Sequence, residues 1–317
     1  MIVVGGEALV DLVPAPVTVR GELGPLLPRL GGGPYNTAVA VGRLGAPVSF
    51  LSRVSTDSFG DALIDRLLAA GVRTDLVQRG TEPTTLAVVT LAADGSARYS
   101  FHTRGTADRL VTDPGPLPDD VTTLSLGTLS LVLEPGASVY ETMLRRESAR
   151  GRLTVLDPNI RAGLIEDPAA YRARFTSWLP DIGVLKVSED DALWLADLPG
   201  DGDVVPVLAE WLRAGVTAVV LTRGSAGLTV CTGSTDRVDV PAVPARVADT
   251  IGAGDTVHAA LLAWLDRHGV ASAGDVAKLD RQAWAEALGF ASAAAAVTVS
   301  RVGAEPPYAA ELGIADN

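Results

Sequence analysis

The sequence predicts an α/β protein built on a mostly parallel sheet, with a smaller second sheet. From residue 122 onward, short apolar runs alternate with helical patterns, which is the order expected of βαβ units. The chain also opens on an apolar run at residues 2–4, which is typical of a buried first strand. Between residues 48 and 102 the pattern instead favours strands separated by turns, which indicates the second sheet.

Composition limits the class of protein. A hydrophobic content of 47% over 317 residues is ample for a large core. The net charge of −12 and the absence of any Lys or Arg run argue against nucleic-acid or anionic-membrane partners. No apolar run approaches the roughly 20 residues of a membrane span, and the N-terminus lacks the basic region of a signal peptide. We therefore expect a cytoplasmic protein.

The single cysteine, Cys231, cannot form an internal disulfide. It lies in the apolar run 228–231, so we expect a buried strand residue rather than a nucleophile. The three histidines have no partners at metal-ligand spacing, and we expect them to be structural or surface residues.

The first strand is followed by Glu7 to Asp11, at the strand end where open α/β sheets place their ligands. No Gly-x-Gly-x-x-Gly motif is present, which removes the simplest dehydrogenase hypothesis. Taken alone, Asp11 could equally be a turn or edge-strand acid.

Three glycines at residues 31–33 precede a helix predicted over 38–44. They permit close approach of the backbone to a ligand, and Asn36 offers a donor and an acceptor to a polyol. The alternative is a plain loop in which Asn36 caps the helix.

The predicted small sheet has strands at 48–54, 85–91 and 97–101, with a turn at 93–95 and a helix over 61–70. Phe101 and Arg104 close this section. Arg104 is either a forked donor to hydroxyl groups or an exposed surface residue.

The βαβ section carries its polar groups directly after its strands. Its predicted strands are 124–126, 153–156, 182–187 and 218–221, and its predicted helices are 137–149, 169–179, 189–195 and 205–214, with a further helix at 284–297. Asp157, Asn159 and Arg161 follow one strand, where Pro158 cannot continue the ladder. A simple Asp-Pro-Asn turn is the alternative.

The stretch from Asp249 to Asp255 feeds a helix whose apolar residues recur along one face. Gly252 and Gly254 allow backbone amides to face an anion at the positive end of that helix. Asp255 falls in its first turn and can accept a proton from a hydroxyl group, which suits phosphoryl transfer to an alcohol. The alternative is a glycine turn with a helix-start acid.

The segment 249–255 resembles the C-terminal signature of the PfkB (ribokinase-like) carbohydrate kinases, and Gly32, Gly33, Asn36 and Ala38 match the N-terminal signature. The resemblance runs from Gly5 to Gly303. It implies one ribokinase-like domain over 1–317, with a mostly parallel sheet flanked by helices and a small β-sheet lid. The lid is expected at about 11–20, 48–54 and 84–104.

The resemblance also assigns roles. Asp255 would be the catalytic base, and the amides of Gly252, Ala253 and Gly254 would form the anion hole. The residues implied at the sugar and the transferring phosphoryl group are Asp11, Gly32, Gly33, Asn36, Phe101, Arg104, Asp157, Asn159 and Arg161.

The nucleotide side follows from the same resemblance. ATP would lie against Lys186, Ser188, Thr222, Gly224 and Gly227. Asp191 would order Mg²⁺ through water, but it stands where the family usually has Glu, so Glu189 and Asp190 are alternatives. Ser188 could instead act only as a helix cap. Asp249, Ile251 and Gly303 would border a monovalent-cation site for K⁺.

The implied activity is ATP-dependent phosphorylation of the primary hydroxyl of a small sugar. The opening from Gly6 to Asp11 and the stretch from Arg104 to Asp108 favour fructose; 2-keto-3-deoxygluconate, ribose and a nucleoside remain alternatives. A catalytically silent sugar-binding regulator is the hypothesis from another class, and the retained Asp255, Gly252 and Gly254 weigh against it. A homodimer through the lid sheet and a monomer are both compatible with the sequence.

Overall fold

The computed structural model describes residues 1–15, 24–91, 97–233 and 237–314. Its strands are β1 Ile2–Gly5, β2 Leu9–Pro14, β3 Leu26–Gly31, β4 Val48–Ser55, β5 Val77–Gly80, β6 Thr85–Leu91, β7 Ala97–His102, β8 Thr123–Gly127, β9 Leu153–Asp157, β10 Val184–Ser188, β11 Ala218–Thr222, β12 Leu228–Thr232 and β13 Val238–Val240. Its helices are α1 Gly33–Arg43, α2 Ser58–Ala69, α3 Gly136–Ala149, α4 Pro168–Trp178, α5 Glu189–Leu195, α6 Val205–Arg213, α7 Ala253–Arg267, α8 Ala273–Val276 and α9 Arg281–Val299.

The larger sheet has the order β13-β12-β11-β10-β9-β8-β1-β4-β5. It is parallel from β11 to β5, and only β12 and β13 pair antiparallel at one edge. One hydrophobic core, including Trp284, lies against one face, and a second, including Trp178, lies against the other. The central strands are therefore buried on both sides, as expected of a parallel sheet. The predicted α/β fold with two sheets is confirmed.

The smaller sheet has the order β3-β2-β6-β7. The pairs β2 with β3 and β6 with β7 are antiparallel, while β2 and β6 are parallel. Part of the predicted lid lies outside the described residues, namely 16–20 and the turn at 93–95.

The assignment of residues 48–54 to the small sheet was wrong. This segment is β4, which pairs in parallel with β1 inside the larger sheet. Almost every residue of β4 is buried, which a lid strand with one face in solvent would not allow. Its place in the small sheet is taken by β3, an exposed strand that the sequence analysis did not predict.

Two helices aim their N-termini at the same end of the large sheet. Helix α1 begins just after Gly32, and α7 begins just after Gly252. They pack against each other, and α7 also packs on α9. Their first turns therefore meet beside the carboxyl ends of β1, β8 and β9, where open α/β sheets bind ligands.

Cys231 lies on β12 and is partly buried. Within the described part of the chain, no helix is both long and apolar enough to cross a membrane.

Candidate active site

A cleft separates the end of the large sheet from the small sheet. It is lined by Glu7, Leu9, Asp11, Gly32, Gly33, Asn36, Tyr99, Phe101, Thr128, Leu129, Asn159, Arg161, Thr250, Ile251, Gly252, Gly254 and Asp255. Most of the residues predicted to bind sugar or perform chemistry therefore share one cleft. They come from widely separated segments that the parallel sheet and the two helix starts bring together.

Asp255 stands at the start of α7 and is held by Asn36 from α1. Asn36 Nδ2 donates to Asp255 Oδ2 across 2.9 Å. Burial raises the pKa of Asp255 to about 6; the bond from Asn36 opposes this rise, the charge of Asp157 adds to it, and Lys186 and Arg161 oppose it. A carboxylate with such a pKa is ionised at neutral pH and is still basic enough to take a proton.

The loop before α7 is fixed by Asp249 and by a glycine that no other residue replaces easily. Gly252 has φ of 76°, and a Cβ there would lie 2.6 Å from the Ala304 side chain. Asp249 Oδ1 accepts from Ile251 N at 3.0 Å, and Asp249 Oδ2 accepts from Gly303 N at 2.8 Å. The predicted group of Asp249, Ile251 and Gly303 is thus brought together by one carboxylate.

Behind this loop lies a buried ion pair. Lys186 Nζ donates to Asp157 Oδ2 across 2.7 Å, and both side chains are buried. Burial alone would lower the pKa of Lys186, but the charges of Asp157, Asp191 and Asp255 raise it above its usual range. A Cβ at Gly254 would lie 3.3 Å from Lys186 Nζ, so the ammonium group sits directly beneath the start of α7.

The turn after β9 carries Asn159 and Arg161 to the cleft wall. Asn159 has φ of 40°, a left-handed conformation that Asn tolerates better than most residues. Arg161 is exposed and donates to Asn159 Oδ1 at 2.8 Å. Burial raises the pKa of Asp11 to about 6, while the charge of Arg161 opposes the rise and that of Asp255 adds to it.

Glu7 also lines the cleft, although no motif in the sequence predicted it as a site residue. Its carboxylate accepts from Ser130 Oγ at 2.5 Å, from Ser130 N at 3.1 Å and from Gly33 N at 3.3 Å. Burial raises its pKa to about 7 against the lowering effect of the Ser130 hydroxyl. Its one sequence signal was its place as the first charged residue after the first strand.

The chain matches the model of the pfkB family of carbohydrate kinases over residues 1–310. It belongs to this family. It is 39% identical over 285 residues to a fructokinase of Rhizobium leguminosarum bv. trifolii, an alignment covering 89% of this chain and 85% of that protein. This kinase is therefore a phosphotransferase with an alcohol group as acceptor.

Solved structures agree with this membership. The ATP-bound fructokinase of Xylella fastidiosa superimposes on the kinase with a TM-score of 0.87 and 29% identity, covering 98% of this chain and 96% of that one. The aminoimidazole riboside kinase of Salmonella enterica has a TM-score of 0.81, and at 22% identity it supports the fold alone.

Two residues predicted for the sugar side lie elsewhere in the kinase. Arg104 is exposed in the turn after β7 and does not line the cleft, because the strand ends at His102. Alternation along β7 instead brings Tyr99 and Phe101 to the cleft as a stacked pair with ring centroids 5.9 Å apart. Asp157 is buried against Lys186, behind the cleft rather than in its lining.

Asp191 acts as a capping residue. Its Oδ2 accepts from Ser188 N while Ser188 Oγ accepts from Asp191 N, which forms a capping box at the start of α5. Its other oxygen accepts from Ile160 N at 2.8 Å. Glu189 and Asp190 are exposed in the same turn. Among the described residues, no group of three or more His, Cys, Asp or Glu side chains could hold a metal ion.

The residues predicted to contact ATP end two neighbouring strands. Ser188 at the end of β10 is the register partner of Thr222 at the end of β11. Gly224 and Gly227 follow in the turn after β11, both with positive φ. Lys186 lies two residues before Ser188 on β10, but its ammonium group faces inward to Asp157.

Proposed function

We propose that this kinase transfers the γ-phosphoryl group of ATP to the primary hydroxyl of fructose. The relative from Rhizobium leguminosarum and the structural neighbour from Xylella fastidiosa are both fructokinases, and the latter binds ATP. The observation that carries the proposal is the meeting of Asp255 and Asn36 at the glycine-bounded start of α7. This arrangement would place a base, Asp255, and an anion-binding helix N-terminus, that of α7, within one cleft.

In this proposal Asp255 accepts the proton of the attacking hydroxyl. The amides of Gly252, Ala253 and Gly254, at the positive end of α7, stabilise the charge that develops on the phosphoryl oxygens. Arg161, at the cleft wall, adds a cation to the same region. Such positioning and charge stabilisation are the main contributions a protein makes to phosphoryl transfer.

The sugar would be held by polar groups around the base. Asn36 Oδ1 is buried and has no hydrogen-bond partner among the described residues, so it is available to a sugar hydroxyl group. Asp11 and Asn159 supply further polar contacts, and Gly32 and Gly33 let the backbone approach closely. Phe101, with Tyr99, would cover the sugar from the small sheet and exclude water.

ATP would lie along the edge formed by Ser188, Thr222, Gly224 and Gly227, with Lys186 beneath the phosphates. Magnesium would enter with the nucleotide, because Mg²⁺ at such sites is bound largely by phosphate oxygens and water. It would supply charge neutralisation to the phosphates. Both carboxylate oxygens of Asp191 already accept hydrogen bonds from backbone N–H groups. We therefore expect Asp191 to contact Mg²⁺ only through water.

A monovalent cation, K⁺, is proposed beside Asp249, Ile251 and Gly303, whose segments one carboxylate ties together. We also propose that the whole chain acts as one kinase domain with the small sheet as its lid. Leu26 and Leu27 on β3 are exposed, and this edge is the proposed contact of a homodimer.

The test is a coupled ADP-release assay with Mg-ATP against fructose, ribose, 2-keto-3-deoxygluconate, glucose and adenosine. We expect turnover with fructose that collapses in Asp255→Asn. The matched control is Asp266→Asn on the same helix, far from the cleft lining, which should retain activity. Turnover with another acceptor would correct the substrate, and binding without any turnover would support a silent regulator.

A further inference from the structure

His258 lies on α7 three residues after Asp255, so its side chain is one helical turn behind the proposed base. The residue is buried. Its Nε2 lies 2.7 Å from the Oγ of Ser125, a buried residue on β8. The ring is thereby tethered to the central sheet rather than only packed against it.

A small cavity separates this histidine from the reacting groups. It has room for about one water molecule, and its lining includes His258, Ser125, Asp157, Asp255 and Thr128. Within the described residues, His258 Nδ1 and Asp157 Oδ1 are buried without hydrogen-bond partners. Two such polar atoms around a cavity of this size are the arrangement that a buried water satisfies.

The ring is neutral at physiological pH. Burial and the charge of Lys186 lower the pKa of His258 to about 3. A neutral imidazole carries one N–H group and one acceptor nitrogen. If Ser125 donates to Nε2, the N–H group is at Nδ1, and it complements the acceptor Asp157 Oδ1.

We propose that His258 is a positioning residue for phosphoryl transfer, which donates through one buried water to Asp157 Oδ1 and so fixes the Asp157–Lys186 pair behind Asp255. The link runs from Ser125 through His258 to the ion pair beneath the start of α7. This proposal rests on the proposed function in one respect, which is that Asp255 is the base beside the Asp157–Lys186 pair.

The link matters because charges of both signs act on the pKa of Asp255. Asp157 and Asp11 disfavour the ionised base, whereas Lys186 and Arg161 favour it. Removing the donor to Asp157 leaves its charge less well satisfied and loosens its pairing with Lys186. The pKa of Asp255 should then rise, because the negative charge beside it is less compensated.

The first experiment does not depend on activity. Long-range ¹H–¹⁵N NMR of the histidine ring in the intact protein should show a neutral Nδ1–H tautomer from pH 8 down to pH 5. The Nδ1 resonance should move in Asp157→Asn, whereas that of His268, the exposed C-cap residue at the opposite end of α7, should not. An Nε2–H tautomer, or a resonance indifferent to Asp157, would overturn the proposal.

The second experiment is kinetic and uses whichever acceptor the wild-type protein turns over. Removal of the link in His258→Phe should lower kcat about tenfold with little change in KM, and should move the acid limb of kcat/KM to higher pH. His258→Gln, which keeps a donor and an acceptor, should recover most of kcat. Ser125→Ala should move the acid limb of kcat/KM in the same direction. This variant tests the link independently if His258→Phe folds poorly. Unchanged kcat and pH limbs in folded variants would refute the link.

Discussion

Asn36 Nδ2 and Asp255 Oδ2 lie 2.9 Å apart and join the first turns of α1 and α7, although the two residues are 219 positions apart in the chain. This bond fixes the orientation of the carboxylate at the cleft. It also leaves the Asn36 carbonyl oxygen free of partners within the described residues, beside the place where a sugar hydroxyl group would lie. One amide thus contacts the proposed base and leaves its oxygen available to the proposed acceptor.

Replacing Asn36 by Ala should therefore affect both functions of the amide. A hydrogen bond to a charged group contributes roughly 1.5 to 3 kcal/mol, so kcat/KM for the sugar should fall about 10- to 150-fold. The pKa of Asp255 should also rise, since this bond lowers it. Steady-state kinetics over pH would check both effects. An unchanged KM for ATP is the internal control, and an unchanged acid limb would contradict the role given to the bond.

The pH dependence of activity should reflect the two carboxyl groups whose pKa values are raised, Asp255 and Asp11. Asp255 must be ionised to accept a proton, and the pKa values of Asp255 and Asp11 are both about 6. Activity should therefore fall as the pH is lowered through about 6, more steeply than a single ionisation allows. In Asp11→Asn the remaining activity should follow one ionisation. A midpoint near pH 4 in the wild-type protein would show that burial does not perturb the base.

Glu7 should make stability depend on pH. Its pKa in the folded protein is about 7, above its ordinary value of 4.5, so its contribution is complete below pH 4.5 and is lost as the pH rises through 7. A shift of this size corresponds to about 3 kcal/mol.

Glu7→Gln, which does not titrate, isolates this effect. The unfolding free energy of the wild-type protein should fall relative to that of the variant between pH 4.5 and 8, as measured by urea denaturation. A constant difference across this range would show that Glu7 is ionised throughout.

Gly252→Ala should abolish most activity, and Gly45→Ala is its matched control. Both glycines have φ between 76° and 78°, so both substitutions carry the same backbone strain of about 1 to 2 kcal/mol. Only at Gly252 does the added methyl group meet another residue, at 2.6 Å from Ala304 Cβ, whereas nothing lies within 4 Å at Gly45.

Thermal unfolding should show a moderate loss in Gly45→Ala with activity preserved. In Gly252→Ala the proposed anion-binding loop must also shift away from Ala304, so kcat should fall by a larger factor than the loss of stability accounts for. Equal activity in the two variants would mean that the geometry of the loop before α7 is not needed for catalysis.

Much of the site was predictable because its signals are local. The glycines at 32, 33, 252 and 254 predict backbone that can approach a ligand, and Asp255 directly follows Gly254. The alternation of apolar runs and helices indicated the parallel sheet. These properties depend on residues within a few positions of each other, so a linear sequence carries them.

Other features depended on distant partners. The run 48–54 has the composition of a strand in either sheet, and only its pairing with β1 decided which one. Strand β3 was missed because Pro28 and Arg29 interrupt its leucines, and Pro within an apolar run argues against a strand. Arg104 was predicted for the sugar pocket, but the end of β7 leaves it in an exposed turn.

The sequence by itself determined the fold class and the family, and it predicted the residues of the proposed anion-binding loop, because periodicity and backbone freedom depend on neighbouring residues. The tertiary structure alone decided which polar groups meet. It paired Asp157 with Lys186, Asp191 with Ser188 and Ile160, and Glu7 with Ser130 and Gly33. The reason is physical: a buried charge is stabilised by whichever donor packing brings within about 3 Å, and that distance is set by the register of strands and helices far apart in the chain.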